Sequence, residues 1–80
     1  MELKLTIISP EKELYNGEVR KVTLPGTLGR FTILPHHAPI VSSLEKGTVV
    51  YATPDGTEHT LDIGGGFVEL SNGIISVYVT

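Results

Sequence analysis

No cysteine occurs in this 80-residue chain, which excludes a disulfide framework and thiolate chemistry and fits a reducing compartment. Charge is sparse too, at 19% of residues against roughly a quarter in an ordinary soluble protein. The six basic residues, Lys4, Lys12, Arg20, Lys21, Arg30 and Lys46, are scattered, and the net charge is −3. A phosphate backbone therefore finds no landing strip, and nucleic acid is not an expected partner. Only five aromatics are present, Tyr15, Phe31, Tyr51, Phe67 and Tyr78, and they are not interleaved with basic residues as in barrels that stack single strands. Phe31 and Phe67 are assigned to the core instead. No apolar run approaches the roughly 20 residues that span a bilayer, and the N-terminus lacks the basic-then-apolar order of a signal peptide. A cytosolic location is expected. Helical spacing is missing as well: no window of eleven residues carries apolar positions three and four apart, and the chain holds nine glycines and five prolines.

Alternation and turn pairs fill the space that helix leaves. Eighty residues support one domain, 1–80, with 40% apolar residues for a single core. Leu3, Leu5 and Ile7 alternate with Glu2, Lys4 and Thr6 and form an opening strand that stops at Ser9-Pro10. Asn16-Gly17 predicts a tight turn, and the broken alternation of Val19, Val22 and Leu24 predicts a bulge near Arg20-Lys21. Thr48 to Ala52 form a β-branched strand, Pro54-Asp55-Gly56 a hairpin turn, and Glu58 to Ile63 an antiparallel return with Leu61 and Ile63 inward. Gly64-Gly65-Gly66 lets the backbone pass close to a neighbour before a strand from Phe67 to Leu70. Asn72-Gly73 is the strongest hairpin signal, and Ile74 to Thr80 close the sheet. Eight or more short strands between turns predict an all-β flattened antiparallel sandwich or barrel.

One stretch, Thr23 to Leu44, carries three prolines, two glycines and adjacent histidines, more than a connector requires. Pro25-Gly26 predicts a type II turn. Phe31 and Ile33 alternate with Arg30 and Thr32 as a strand, and Pro35 and Pro39 hold His36, His37 and Ala38 in an extended, exposed corner. Such a corner suits docking on another protein.

Chemistry finds little foothold. His36 and His37, joined by His59 or Asp62, invite a metal reading, but neighbouring side chains on extended backbone point to opposite faces and cannot easily chelate one ion. One imidazole capping local backbone and the other facing a partner or water is the preferred assignment. The Gly26/Gly29 pair and Gly64-Gly65-Gly66 lack the following helix that a phosphate loop needs. Ser9, Ser42, Ser43, Ser71 and Ser76 have no nucleophile-elbow setting, and the carboxylates are dispersed singly on turns. No catalytic residue, cofactor, metal or small-molecule substrate is expected.

Five fragments in order, Ile8-Ser9-Pro10-Glu11, Tyr15-Asn16-Gly17-Glu18-Val19, Thr23-Leu24-Pro25-Gly26-Thr27-Leu28-Gly29, Ile33-Leu34-Pro35-His36-His37-Ala38-Pro39 and Gly64-Gly65-Gly66-Phe67-Val68-Glu69, closely resemble the epsilon subunit of F-type rotary ATP synthases of bacterial type. The resemblance runs nearly end to end. It implies a sandwich of about ten strands. It also implies a non-catalytic central-stalk role that couples proton or sodium flow to ATP synthesis, at the cytoplasmic face of the bacterial inner membrane. The implied partners are the gamma subunit and the ring of c subunits. Ring-contacting positions would map onto Thr27, Leu28, Gly29, Arg30 and His37, and the gamma-facing segment onto Gly64, Gly65, Gly66, Phe67 and Glu69. Valine at Gly29 would then be expected to spare the core and weaken ring attachment. Family members commonly carry an acidic residue where this chain has Arg30 and glycine where it has His36. They continue into a two-helix carboxy-terminal domain where this sequence stops, so coupling without helix insertion or ATP binding is the expectation. The rival reading is a free-standing β-sandwich binding module or a small metal-dependent enzyme using the histidines.

Overall fold

The computed structural model describes residues 3–80; Glu2, expected to face outward from the first strand, lies outside them. Nine strands are present among these residues and no helix. They are β1 (Leu3–Ile8), β2 (Glu13–Val19), β3 (Lys21–Gly26), β4 (Gly29–Ile33), β5 (Ile40–Leu44), β6 (Gly47–Ala52), β7 (Glu58–Ile63), β8 (Gly66–Ser71) and β9 (Ile74–Val79). Their lateral order is β2-β1-β9-β8-β5-β3-β6-β7, with β4 on β3. β5 and β3 share a single bridge, Gly26 opposite Leu44. There the sheet curls over, so that β2-β1-β9-β8-β5 and β4-β3-β6-β7 form the two halves of a flattened sandwich.

The inward positions of both halves meet in one core. Leu3, Leu5 and Ile7 of β1, Val22 and Leu24 of β3, Ile33 of β4, Val68 of β8 and Ile75 and Val77 of β9 are buried, and among the described residues no polar side chain is buried with them. The period-two pattern fixes this arrangement, because a one-residue slip would turn every apolar side chain to water. Leu61 packs half-buried against the core beside buried Ile63, as alternation predicts. Phe31 is half-buried, but Phe67 is not a core residue. It stands 48% exposed on the outer surface, one position out of phase with buried Val68.

Pairing departs from the expected all-antiparallel pattern at one place: β1 lies parallel to β9, with Leu5 opposite Ile75 and Ile7 opposite Val77. The first strand slots between β2 and the last strand, a long-range pairing that no local turn signal encodes.

Two turn assignments and the expected bulge also move. Asn16 and Gly17 lie inside β2, opposite Thr6 and Leu5, and the chain reverses earlier, where the Ser9 N–H donates to the Lys12 carbonyl at 2.9 Å. Tyr15 covers the glycine, its hydroxyl donating to the Glu18 carbonyl at 3.0 Å. Pro25 and Gly26 are strand residues, and the hairpin turn is Thr27-Leu28. Proline fits because N–H and C=O of a strand residue point to the same side. On that side only its carbonyl is used, by the Glu45 N–H at 2.9 Å. Gly26 is needed for closeness, since a Cβ there would sit 2.7 Å from the Gly29 carbonyl oxygen and 2.8 Å from the Phe31 ring. The expected bulge near Arg20 is a bend between β2 and β3; the register irregularity falls at Ile7/Ile8 instead.

Two other turns form as the sequence predicts. Asn72 and Gly73 both take positive φ, 52° and 75°, the requirement of a type I′ hairpin. At Pro54-Asp55-Gly56 the Asp55 carboxylate accepts the Thr53 hydroxyl and the Thr57 N–H, which hold its pKa below the ordinary carboxylate value. The resulting stabilisation is present above that ordinary value and is lost as pH falls through the lowered one.

A genuine type II turn sits at Leu34-Pro35-His36-His37, closed by the His37 N–H on the Leu34 carbonyl at 3.1 Å. The corner is therefore exposed but not extended, and His36 occupies the position that wants glycine, with φ 70°. Left-handed backbone costs a non-glycine residue about 1–2 kcal/mol, partly offset by the entropy that glycine loses on folding. His36→Gly is expected to raise stability by about 0.5–1 kcal/mol in urea unfolding. A loss of stability would mean that the imidazole makes a compensating contact.

Candidate docking surfaces

Cross-strand register sorts the outward side chains into two faces of opposite character. On the β4-β3-β6-β7 half the polar groups satisfy one another. The Thr23 and Thr32 hydroxyls lie 2.9 Å apart, the Thr48 hydroxyl donates to Asp62 at 2.8 Å, and Lys21 pairs with Glu58 at 3.6 Å. A partner here would break these contacts and cover little apolar area.

The outer face of the β2-β1-β9-β8-β5 half is different. Phe67 of β8 lies opposite Tyr78 of β9, rings stacked with centroids 4.8 Å apart. Ile74 is exposed at the other end of β9 and Val41 on β5, opposite Glu69 of β8. An exposed apolar patch bordered by polar and charged side chains such as Glu69 and Lys4 is the composition of a protein-binding surface. Of the expected gamma-facing segment, Phe67 and Glu69 stand on this face. The three glycines do not, because their backbone closes the sheet. The Gly64 N–H donates to the Thr80 carbonyl at 3.2 Å and the Thr80 N–H to the Gly65 carbonyl at 3.1 Å, while a Cβ on Gly66 would fall 1.9 Å from the Tyr78 carbonyl oxygen. Val41, Ile74 and Tyr78 escaped the sequence reading. Their signal is the unbroken apolar run, as in Ile74-Ile75 and Val77-Tyr78-Val79, where both faces of a strand are apolar.

The second surface is the β3–β4 hairpin tip. Thr27, Leu28, Gly29 and Arg30 are all exposed, Leu28 fully at 102%. The Thr27 N–H and hydroxyl both hold Ser43, by its carbonyl at 3.1 Å and its hydroxyl at 2.7 Å, so the tip is braced against β5. Gly29 has open space around it but φ 134°. Valine there would meet no core atom but would strain the turn itself, so a loss of ring attachment would not by itself report a close backbone approach.

His37 does not join these four residues. It follows the far end of β4, roughly 17 Å of strand away at about 3.4 Å per residue, beside Leu70 and Gly73 in a depression of 330 Å³. Its Nδ1–H donates to the Ala38 carbonyl at 2.7 Å. His59 stacks on Tyr51, centroids 5.2 Å apart, and Asp62 holds Thr48. Among the described residues no three His, Cys, Asp or Glu side chains are grouped to hold a metal. The remaining titratable cluster is structural: burial, then the neighbouring Tyr15, pushes the Tyr51 phenol above its ordinary pKa.

The whole described chain has known counterparts. The sequence matches the family described as ATP synthase, Delta/Epsilon chain, beta-sandwich domain over residues 2–80. It is 43% identical over 76 residues to the ATP synthase epsilon chain of Leptospira interrogans, covering 95% of this chain and 59% of the relative. To the ATP synthase epsilon chain of Bordetella petrii it is 37% identical over 75 residues, covering 94% of this chain and 53% of the relative. The chain thus spans between half and three-fifths of these relatives' length. In fold it is similar to a chain of the Euglena gracilis mitochondrial ATP synthase, with a TM-score of 0.92 at 20% identity over 98% of this chain and 50% of that one. A chain of the Tetrahymena thermophila mitochondrial ATP synthase central stalk and c-ring superposes with a TM-score of 0.81 at 15% identity, covering 100% of this chain and 64% of that one. With the matched domain spanning residues 2–80 and the curled nine-strand sandwich in place, the chain belongs to the ATP synthase delta/epsilon β-sandwich family.

Proposed function

We propose that this chain serves as the sandwich of an epsilon subunit in the central stalk of a rotary ATP synthase. It contributes stiffness and two adhesive surfaces rather than chemistry. The Val41, Phe67, Ile74 and Tyr78 face, with Glu69 at its border, docks on the gamma subunit, and the Thr27–Arg30 hairpin tip docks on the ring of c subunits. His37, a strand's length away, takes no part in that ring contact. The assembly works at the cytoplasmic face of a bacterial inner membrane, coupling proton or sodium flow to ATP synthesis.

The observation that carries this reading is the contrast between the two outer faces, one self-paired and polar, the other carrying the exposed apolar groups Val41, Phe67, Ile74 and Tyr78 beside Glu69. Stacked Phe67 and Tyr78 are the large, low-entropy side chains from which interface anchors are built. Phe67→Asp is expected to weaken binding to purified gamma subunit roughly 30-fold, an anchor's worth of about 2 kcal/mol. Leu28→Asp should weaken binding to the detergent-solubilised c-ring by a similar factor. Neither change touches the core, so both variants should unfold near the parent's midpoint. Full binding by both variants would remove the proposal.

A further inference from the structure

We infer that Arg30 sets partner specificity at the hairpin tip: the loop it meets presents a carboxylate. The inference rests on the ring-docking role proposed for the tip. Arg30 Nη1 donates to the Thr48 carbonyl at 2.9 Å, which uses one of the five N–H donors of a guanidinium. The rest have no acid to meet: among the described residues no carboxylate comes within 4.0 Å of Arg30, and the Lys21–Glu58 pair lies on another row of the sheet. Asp62, opposite Thr48 across β6 and β7, accepts the hydroxyl of Thr48.

The neighbouring turn adds little negative charge. Glu45 and Lys46, held against Pro25 by the Glu45 N–H bond to its carbonyl, offset each other, so the tip keeps the charge of Arg30 on a chain whose net charge is −3. Leu28 beside it is fully exposed and would be the group buried on contact. Burying Leu28 carries Arg30 into the interface, where unfilled donors on a charged group are costly. A carboxylate fills them with two parallel hydrogen bonds in the geometry that guanidinium favours. Thr48 fixes one end of the guanidinium, so the fork is oriented before the partner arrives.

The test uses the full chain and detergent-solubilised c-ring at 50 and 500 mM salt. Arg30→Glu and Arg30→Ala are expected to bind at least tenfold more weakly at 50 mM, and Arg30→Lys, which keeps the charge but not the planar fork, to fall between Arg30→Ala and the parent. At 500 mM the gap between parent and Arg30→Ala should narrow, as screening predicts. Parental binding by Arg30→Glu alongside lost binding by Leu28→Asp would overturn the carboxylate while leaving the hairpin's ring contact in place. Unchanged binding by all the variants would remove the ring contact and this inference together. Arg30-dependent binding to phosphatidylglycerol vesicles without ring binding would also overturn it, because the acceptor would then be a lipid phosphate.

Discussion

Gly66→Ala is expected to destabilise the fold by about 3 kcal/mol or more, the largest effect of any single methyl addition to this chain. Two costs act together. At φ 146° an alanine occupies backbone that L side chains rarely adopt, worth about 1–3 kcal/mol. Its Cβ would also lie 1.9 Å from the Tyr78 carbonyl oxygen, so β8 and β9 must separate where Gly66 pairs with Val79. A domain of this size has roughly 4–12 kcal/mol in all, at about 0.05–0.15 per residue. Urea unfolding of Gly66→Ala beside Gly64→Ala checks the argument. The Gly64 Cβ would meet its nearest atom, the Thr80 carbonyl oxygen, at 3.2 Å, so a far smaller loss is expected there. Equal losses at the two positions would show that close approach at Gly66 is not what limits the residue.

Leu5→Ala carries the second large effect, a loss of about 2–5 kcal/mol. Leu5 is fully buried and sits on β1, flanked by Gly17 of β2 and Ile75 of β9. Gly17 has no side chain of its own to fill the space, and the Tyr15 ring that covers it is held by its hydroxyl on the Glu18 carbonyl at 3.0 Å, so part of the cavity persists. Leu28→Ala removes the same atoms from a side chain that touches nothing and should change stability by less than about 0.5 kcal/mol. Urea unfolding midpoints of the two variants, at matched slopes, measure the difference. If Leu28→Ala unfolded as early as Leu5→Ala, the hairpin tip would have to be part of the core.

Much of the architecture was legible residue by residue. Alternation placed Leu3, Leu5, Ile7, Ile33 and Ile63 inward, and Asn72-Gly73 marked its hairpin, because these signals act over a few residues and need no knowledge of the neighbour. Errors gathered where turn-type residues lie under an aromatic ring inside a strand instead of forming a turn. Pro25-Gly26 reads as a turn, yet Gly26 is kept small by the Phe31 ring five residues on, and Asn16-Gly17 reads as a turn, yet Tyr15 folds across it. Phe67 was assigned inward on hydrophobicity alone, although its neighbour Val68 holds the buried phase.

The candidate surfaces were legible in part for the same reason. Thr27 to Arg30 are contiguous, so a hairpin delivers them together, whereas His37 could be set apart from them only by the direction of β4. The apolar face required knowing that β5, β8 and β9 are neighbours, which brings Val41, Phe67 and Tyr78 onto one surface.

Taken alone, the amino-acid order determined that this chain is all strand around one core, since periodicity, turn residues and composition are local properties. Only the tertiary structure decided that β1 runs parallel to β9, that the glycine triplet closes the sheet, and that one outer face carries an exposed apolar patch while the other is self-paired. Those outcomes depend on which strands become neighbours, and that is chosen by burial summed over the whole core rather than by any short stretch of sequence.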